Sequence, residues 1–154
     1  MKGDFLRRGG LWVLGQGLLL LAVIVCGVAW RNQWRSFPVV LCGALLLLTA
    51  VVCGIAGTVA LGPNLTPFPR PSSSTGLVQN GIYGLMRHPL YTAVICGSVG
   101  WALVWQSGPA VMAALVLALF FDAKARREER WLRQRFSEYA RYEARVRRFL
   151  PWVY

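Results

Sequence analysis

Residues Leu11–Trp30 read LWVLGQGLLLLAVIVCGVAW, twenty positions without a charge. A helix rises about 1.5 Å per residue and a bilayer's hydrocarbon core is about 30 Å thick, so this stretch can cross alone. It is longer than the apolar region of a secretory signal, usually about 7–15 residues. Val28-Ala29-Trp30 is also a poor cleavage site, so a retained helix is expected. Val39–Leu61 repeats the pattern with 23 uncharged residues and Leu90–Ser107 with 18. Pro109–Phe121 offers only 13 and must borrow length from Asp122 onward, which makes it the weakest of the four.

The expectation is an all-α integral membrane protein, one membrane domain over residues 1–154 with four transmembrane helices, at about 11–30, 39–61, 90–107 and 109–123. A loop over 62–89 and an amphipathic C-terminal helix over 124–147 complete it, with no room for a Rossmann domain. Only 15% of residues are charged, against about 25% in ordinary soluble domains.

The charge is one-sided. Of 17 Lys+Arg, four spans would leave 15 on the side of the termini and the 62–89 loop, and two, Arg31 and Arg35, on the other. Cytoplasmic segments carry the Lys/Arg excess, so both termini are expected in the cytoplasm. The net charge of +11 then faces anionic lipid headgroups, and nucleic acid is not an expected partner. Cys26, Cys42, Cys53 and Cys96 lie inside apolar segments without a Cys-x-x-Cys pair, and His88 is the only histidine, so no metal site is expected. No span carries an acid near its middle, which argues against a proton-coupled transporter. Gly15-Gln16-Gly17 reads as small-residue helix packing, not a nucleotide loop.

Two regions look like chemistry. The loop opens with four prolines between Pro63 and Pro71, a stiff extended path, and Ser72–Ser74 reads as a linker. A turn at Asn80-Gly81 follows, and Arg87-His88-Pro89-Leu90-Tyr91 then enters the third span. In the tail, Leu132, Phe136, Tyr139, Tyr142 and Val146 recur at helical spacing, and extending that stripe back by fours reaches Glu128 and Lys124. Those two are expected to face inward, as a mutual i, i+4 pair or as functional groups; Glu129, about 100° away, need not. Together these residues suit one zwitterionic ligand with an aromatic part. A carboxylate would hold an ammonium, Arg or His a carboxylate, and tyrosines a ring.

Gly81-x-Tyr83, Arg87-His88-Pro89-x-Tyr91, Glu128-Glu129-x-x-Leu132, Phe136, Tyr139, Tyr142 and Arg148-x-x-Pro151 resemble the isoprenylcysteine carboxyl methyltransferase and phospholipid methyltransferase superfamily, in particular its small bacterial members. The resemblance implies an integral protein of the bacterial inner membrane that uses S-adenosylmethionine to methylate a lipophilic or amphiphilic acceptor at the cytoplasmic face. It implies that Leu77 and Val78 contact the cofactor, that Tyr83 and Tyr91 line its pocket beside Pro89, and that His88 and Glu128 hold its polar ends. Lys124 stands where the family has an arginine on the acceptor side, and Arg87 is the second candidate catalytic residue. Ala93 and the shortened Phe136-Ser137-Glu138-Tyr139 depart from the pattern; they point away from a prenylcysteine acceptor and leave phospholipid amines, thiols and other amphiphiles open. The rival expectation is a non-catalytic membrane module of the same fold that binds lipid or a partner protein.

Overall fold

A computed structural model describes residues 9–66, 68, 76–151 and 153. The described residues form five α-helices and no strand: α1 (Gly10–Ala29), α2 (Phe37–Leu61), α3 (Pro89–Val104), α4 (Gly108–Arg135) and α5 (Tyr139–Arg145). Short 3₁₀ turns occupy Gly62–Asn64 and Gly81–Gly84, the second following Gly81 at φ 61°, the turn expected at Asn80-Gly81. The proposed linker Ser72–Ser74 falls outside the described residues.

Helices α1, α2 and α4 are each long and apolar enough to cross a bilayer. Leu14, Leu18, Leu21, Leu41, Leu45, Leu48 and Ile55 point outward, as they would toward lipid. The chain is an integral membrane protein. The short helix is α3, not the fourth segment. It stops at Val104 because Trp105 turns and Gln106 takes φ 52°, so its 16 residues reach only about 24 Å.

The fourth segment and the proposed C-terminal helix also regroup. No Gly or Pro interrupts Asp122–Arg135, so α4 runs unbroken through the change from apolar to charged sequence, for 28 residues. It ends where Phe136 turns extended (φ −117°, ψ 113°), at two weak helix formers, Phe136 and Ser137. Residues 124–147 are therefore not one amphipathic helix. The tail of α4 and the seven-residue α5 share that length, and the break lets α5 fold back.

Packing pairs α2 with α3 and α1 with α4, while α3 and α4 join the pairs. The core is Val23, Ala114, Leu117 and Phe121, with Val94, Ile95 and Trp101 against it. Helices α2 and α3 touch backbone to backbone: a Cβ on Gly100 would lie 2.8 Å from the Gly43 carbonyl oxygen. The turns at one end are laced together. Asn32 N donates to Trp105 O (2.9 Å), Ser36 N to Gln106 Oε1 (3.0 Å), Gly108 N to Gln33 Oε1 (2.7 Å), and Ser107 Oγ to Cys26 O (2.9 Å). The other end is open, and is held by side chains and by backbone hydrogen bonds from the C-terminal segment.

Candidate functional site

At that end, α3 begins with Pro89 at its first position, where a missing N–H costs nothing. His88 precedes it, and its carbonyl accepts from Tyr91 N and Thr92 N at 3.1 and 3.0 Å. The C-terminal segment runs beside this motif as a strap. Arg87 N donates to Arg147 O (2.8 Å), His88 N to Arg148 O (3.0 Å) and Thr92 Oγ1 to Phe149 O (3.1 Å). Tyr139, Tyr142 and Val146 pack with Leu77, Leu132 and Phe136, so the apolar stripe read from the tail survives the helix break as one cluster.

Glu129 is the hub. It is 0% exposed. Its carboxylate accepts from Arg148 Nη2 (2.7 Å) and Nε (3.0 Å), from His88 Nε2 (3.2 Å), and faces Arg87 Nη2 at 3.2 Å. Arg148 also donates to Asp122 Oδ1 (2.9 Å). This corrects the expectation that Glu129 need not face inward. Periodicity placed Glu128 on the inward stripe, and Glu128 does face in. The flank of α4 that carries Glu129 is buried by the strap and by Arg87, from distant parts of the chain that a helical wheel does not include. Glu143 forms a second pair with Arg133 (2.7 and 2.6 Å) and lies 2.8 Å from Arg87 Nη1. The Arg133 hydrogen bonds lead in holding the Glu143 carboxyl below its ordinary range.

Beside the hub lies a cavity of about 850 Å³, counting its space open to solvent. Leu77, Val78, Tyr83, Arg87, His88, Tyr91 and Glu128 all line it, and Leu61, Leu132 and Phe136 supply apolar wall. Glu128, its side chain 24% exposed, accepts from Tyr91 Oη at 2.6 Å, with His88 Nδ1 3.9 Å away. The His88 ring stacks on Tyr91 (5.1 Å, 9°). Burial, then the charge of Glu128, raises the Tyr83 phenol above its ordinary range, so it stays protonated.

Two expected site residues do not line the cavity. Pro89 is buried and shapes the entry of α3. Lys124 is 1% exposed and reaches across to α1, where Nζ donates to Gln16 Oε1, lying 5.1 Å from the Tyr91 ring centroid and 5.5 Å from that of Phe121. The Gly15-Gln16-Gly17 reading divides accordingly. Gly15 packs against Phe120, a Cβ on Gly17 would meet nothing within 4 Å, and Gln16 holds a lysine.

The sequence reading placed Glu129, Tyr139 and Arg148 within the family pattern and Tyr139 on the inward stripe, but gave none of them, nor Gln16, a part in the site. Two buried donors in this region lack hydrogen-bond partners among the described residues, Arg87 Nε and the Tyr139 hydroxyl. Arg87 Nη1 is near enough to Glu143 for an ion pair but off the hydrogen-bonding direction. No group of three His, Cys, Asp or Glu that could hold a metal occurs among the described residues.

The sequence profile of the phospholipid methyltransferase family matches residues 38–139, more than half of the chain. The nickel-cobalt-cadmium resistance protein NccN of Alcaligenes xylosoxydans xylosoxydans is 30% identical over 146 residues, which cover 94% of this chain and 65% of the relative. The cobalt-zinc-cadmium resistance protein CzcN of Cupriavidus metallidurans is 38% identical over 76 residues, 49% of this chain and 35% of the relative. Protein-S-isoprenylcysteine O-methyltransferase B of Arabidopsis thaliana is 35% identical over 79 residues, 50% of this chain and 40% of the relative. The chain thus spans less than two thirds of each of these relatives. It belongs to the phospholipid methyltransferase family.

Proposed function

We propose that this member of the phospholipid methyltransferase family binds S-adenosylmethionine in the cavity and methylates a lipophilic or amphiphilic acceptor at the cytoplasmic membrane face. The carrying observation is that one cavity, at the end of the bundle where the apolar helices stop, is lined by Leu77, Val78, Tyr83, His88, Tyr91 and Glu128. The donor set fits the cofactor: a carboxylate for the cationic part, aromatic and aliphatic wall for the base, arginine for the acid end.

When bound, the cofactor supplies a methyl group on a cationic sulfur, so no strong acid or base is required of the protein. Glu128, fixed by Tyr91, attracts the positive charge. Leu77, Leu132 and Phe136 keep water away, and His88, locked by Glu129, sets the ring on which Tyr91 rests. Position and dryness are then the main contributions. Lys124, held by Gln16 behind the Tyr91 ring, is assigned to the acceptor side, where its charge would hold or neutralise the acceptor.

The test is calorimetric titration of S-adenosylmethionine into the detergent-purified protein and into Glu128→Gln. Wild type is expected to bind, and the variant to lose at least tenfold in affinity while melting as wild type does. A folded wild type that binds nothing, in lipid as well as detergent, would overturn the proposal in favour of a non-catalytic module.

A further inference from the structure

Gln16 is the one amide in α1. An amide inside a membrane-spanning helix is unfavourable unless it is hydrogen-bonded. Its partner is Lys124 Nζ, across the contact between α1 and α4. The packing on either side fixes where α1 presents that amide. Trp12 and Phe120 meet with ring centroids 5.1 Å apart, and Gly15 lets α1 close on the Phe120 ring, where a Cβ would stand 3.0 Å away.

Lys124 has another acceptor on its own helix. Glu128 lies four residues on, and side chains four apart on a helix are neighbours. A lysine near the end of a span ordinarily extends toward the charged interface, which here is the direction of Glu128. The two side chains turn to different partners instead. Lys124 Nζ donates to Gln16 Oε1 and lies 5.1 Å from the centre of the Tyr91 ring, whereas Glu128 Oε2 accepts from the hydroxyl of the same tyrosine at 2.6 Å. A cation over its face and a carboxylate at its hydroxyl thus share one ring. Lys124 is 1% exposed, while Glu128 lines the cavity. An amide oxygen holds the ammonium without a charge of its own, so neither charge is cancelled.

We propose that Gln16 is a positioning residue: by binding Lys124 it keeps the lysine from closing an ion pair with Glu128, and so keeps the Glu128 carboxylate available to a cationic ligand in the cavity. This rests on the cofactor reading above for the identity of that ligand. It goes beyond that reading by giving α1 a part in the site, through a residue outside the cavity lining. With an apolar side chain at position 16, Lys124 turns to Glu128, and the positive charge of the ligand has to displace it.

Calorimetric titration of S-adenosylmethionine into the intact chain in lipid nanodiscs compares wild type, Gln16→Leu, Lys124→Met and the double variant. Gln16→Leu is expected to weaken binding about tenfold, the scale of one charge-assisted contact that the ligand must displace. Lys124→Met and the double variant are expected to bind as tightly as wild type to within about twofold, the scatter of uncoupled changes, because no cation is left to compete. Gln16→Glu keeps an oxygen for the lysine and is expected to keep wild-type affinity. Equal weakening by Gln16→Leu and Lys124→Met would make the bond a simple tie between helices and overturn the proposal. So would a loss that Gln16→Leu also causes without Lys124, or no loss at all. Melting of the ligand-free proteins tests the same exchange of partners without the cofactor. Gln16→Leu is expected to melt close to wild type, since Lys124 trades one partner for another. Combined with Glu128→Gln, it is expected to melt lower than the two single drops add up to. Additive drops, or a Gln16→Leu protein that melts far below wild type or does not fold, would overturn the proposal. Wild type that binds no S-adenosylmethionine removes the cofactor reading, and the melting comparison then decides on Gln16 by itself.

Discussion

Neighbouring carboxylates on one helix have opposite duties here. Glu128 keeps a partly exposed carboxylate at the cavity with one phenol on it, whereas Glu129 is fully buried under two arginines and a histidine. A buried charge that loses its partner costs about 3–5 kcal/mol, far more than a surface pair. Glu129→Gln is therefore expected to destabilise the protein by about 3 kcal/mol or more, because Arg148, Arg87 and His88 lose the buried charge they share and the two arginines keep only Asp122 and Glu143 among the described residues. Glu128→Gln is expected to leave the fold intact and affect only ligand. Denaturation of both variants in the same detergent checks this. Equal stabilities would show that Glu129 does not organise the site. Glu128, Tyr91 and His88 were legible because a motif and a helical stripe mark them. Glu129 was not, because its burial is created by Arg148 and Arg87, 19 and 42 positions away, and neither lies on its helix.

Helix boundaries show the same division. The start of α3 was readable from Pro89, and the long apolar stretches of α1 and α2 from the absence of charge. The end of α3 was not, because Trp105-Gln106 is as uncharged as the helix before it and only the turn at Gln106 stops it. Likewise the periodicity of Leu132, Phe136, Tyr139 and Tyr142 persists across the break at Phe136, since both sides of the break pack into one cluster. Pattern reports which residues are buried together more faithfully than it reports the path between them. The α2–α3 pair is the element on which the cavity's α3 wall rests, and its backbones meet at Gly43 and Gly100. A Cβ at Gly100 would meet the Gly43 carbonyl oxygen at 2.8 Å and the Leu47 backbone nitrogen at 3.0 Å, and neither is a flexible side chain that could yield. Gly100→Ala is expected to cost about 1–3 kcal/mol by forcing the helices apart. Gly17→Ala, where a Cβ meets nothing within 4 Å, is expected to be nearly neutral. Thermal unfolding of the two variants side by side measures the difference, and parity between them would mean that the α2–α3 approach is not tight.

Taken whole, the molecule has a laced end and an open one. Hydrogen bonds among Asn32, Gln33, Ser36, Gln106 and Ser107 and their neighbours hold the ends of α1, α2, α3 and α4 together at the turns. The opposite end carries the cavity, the ion-pair hub and ten of the 17 cations, from Lys124 onward. The coincidence of site and charge makes orientation a functional question. On the proposed cofactor reading, the ligand is a charged nucleoside sulfonium that does not cross a bilayer unaided, and the cavity would open to the compartment that holds it. The Lys/Arg excess on the same side would be kept in the cytoplasm during insertion. A fluorescent protein fused after Tyr154 is accordingly expected to be fluorescent in bacterial cells, and alkaline phosphatase fused at the same point to be inactive. A reporter placed in the Arg31–Arg35 turn is expected to give the reverse pattern. Active phosphatase at the C-terminus would put the cavity outside the cell and leave the methyl donor on the wrong side, whatever the affinity of the purified protein for it. Matching reporters at both places would instead remove one crossing. The natural candidate is α3, the 16-residue helix too short to reach across the hydrocarbon core unaided.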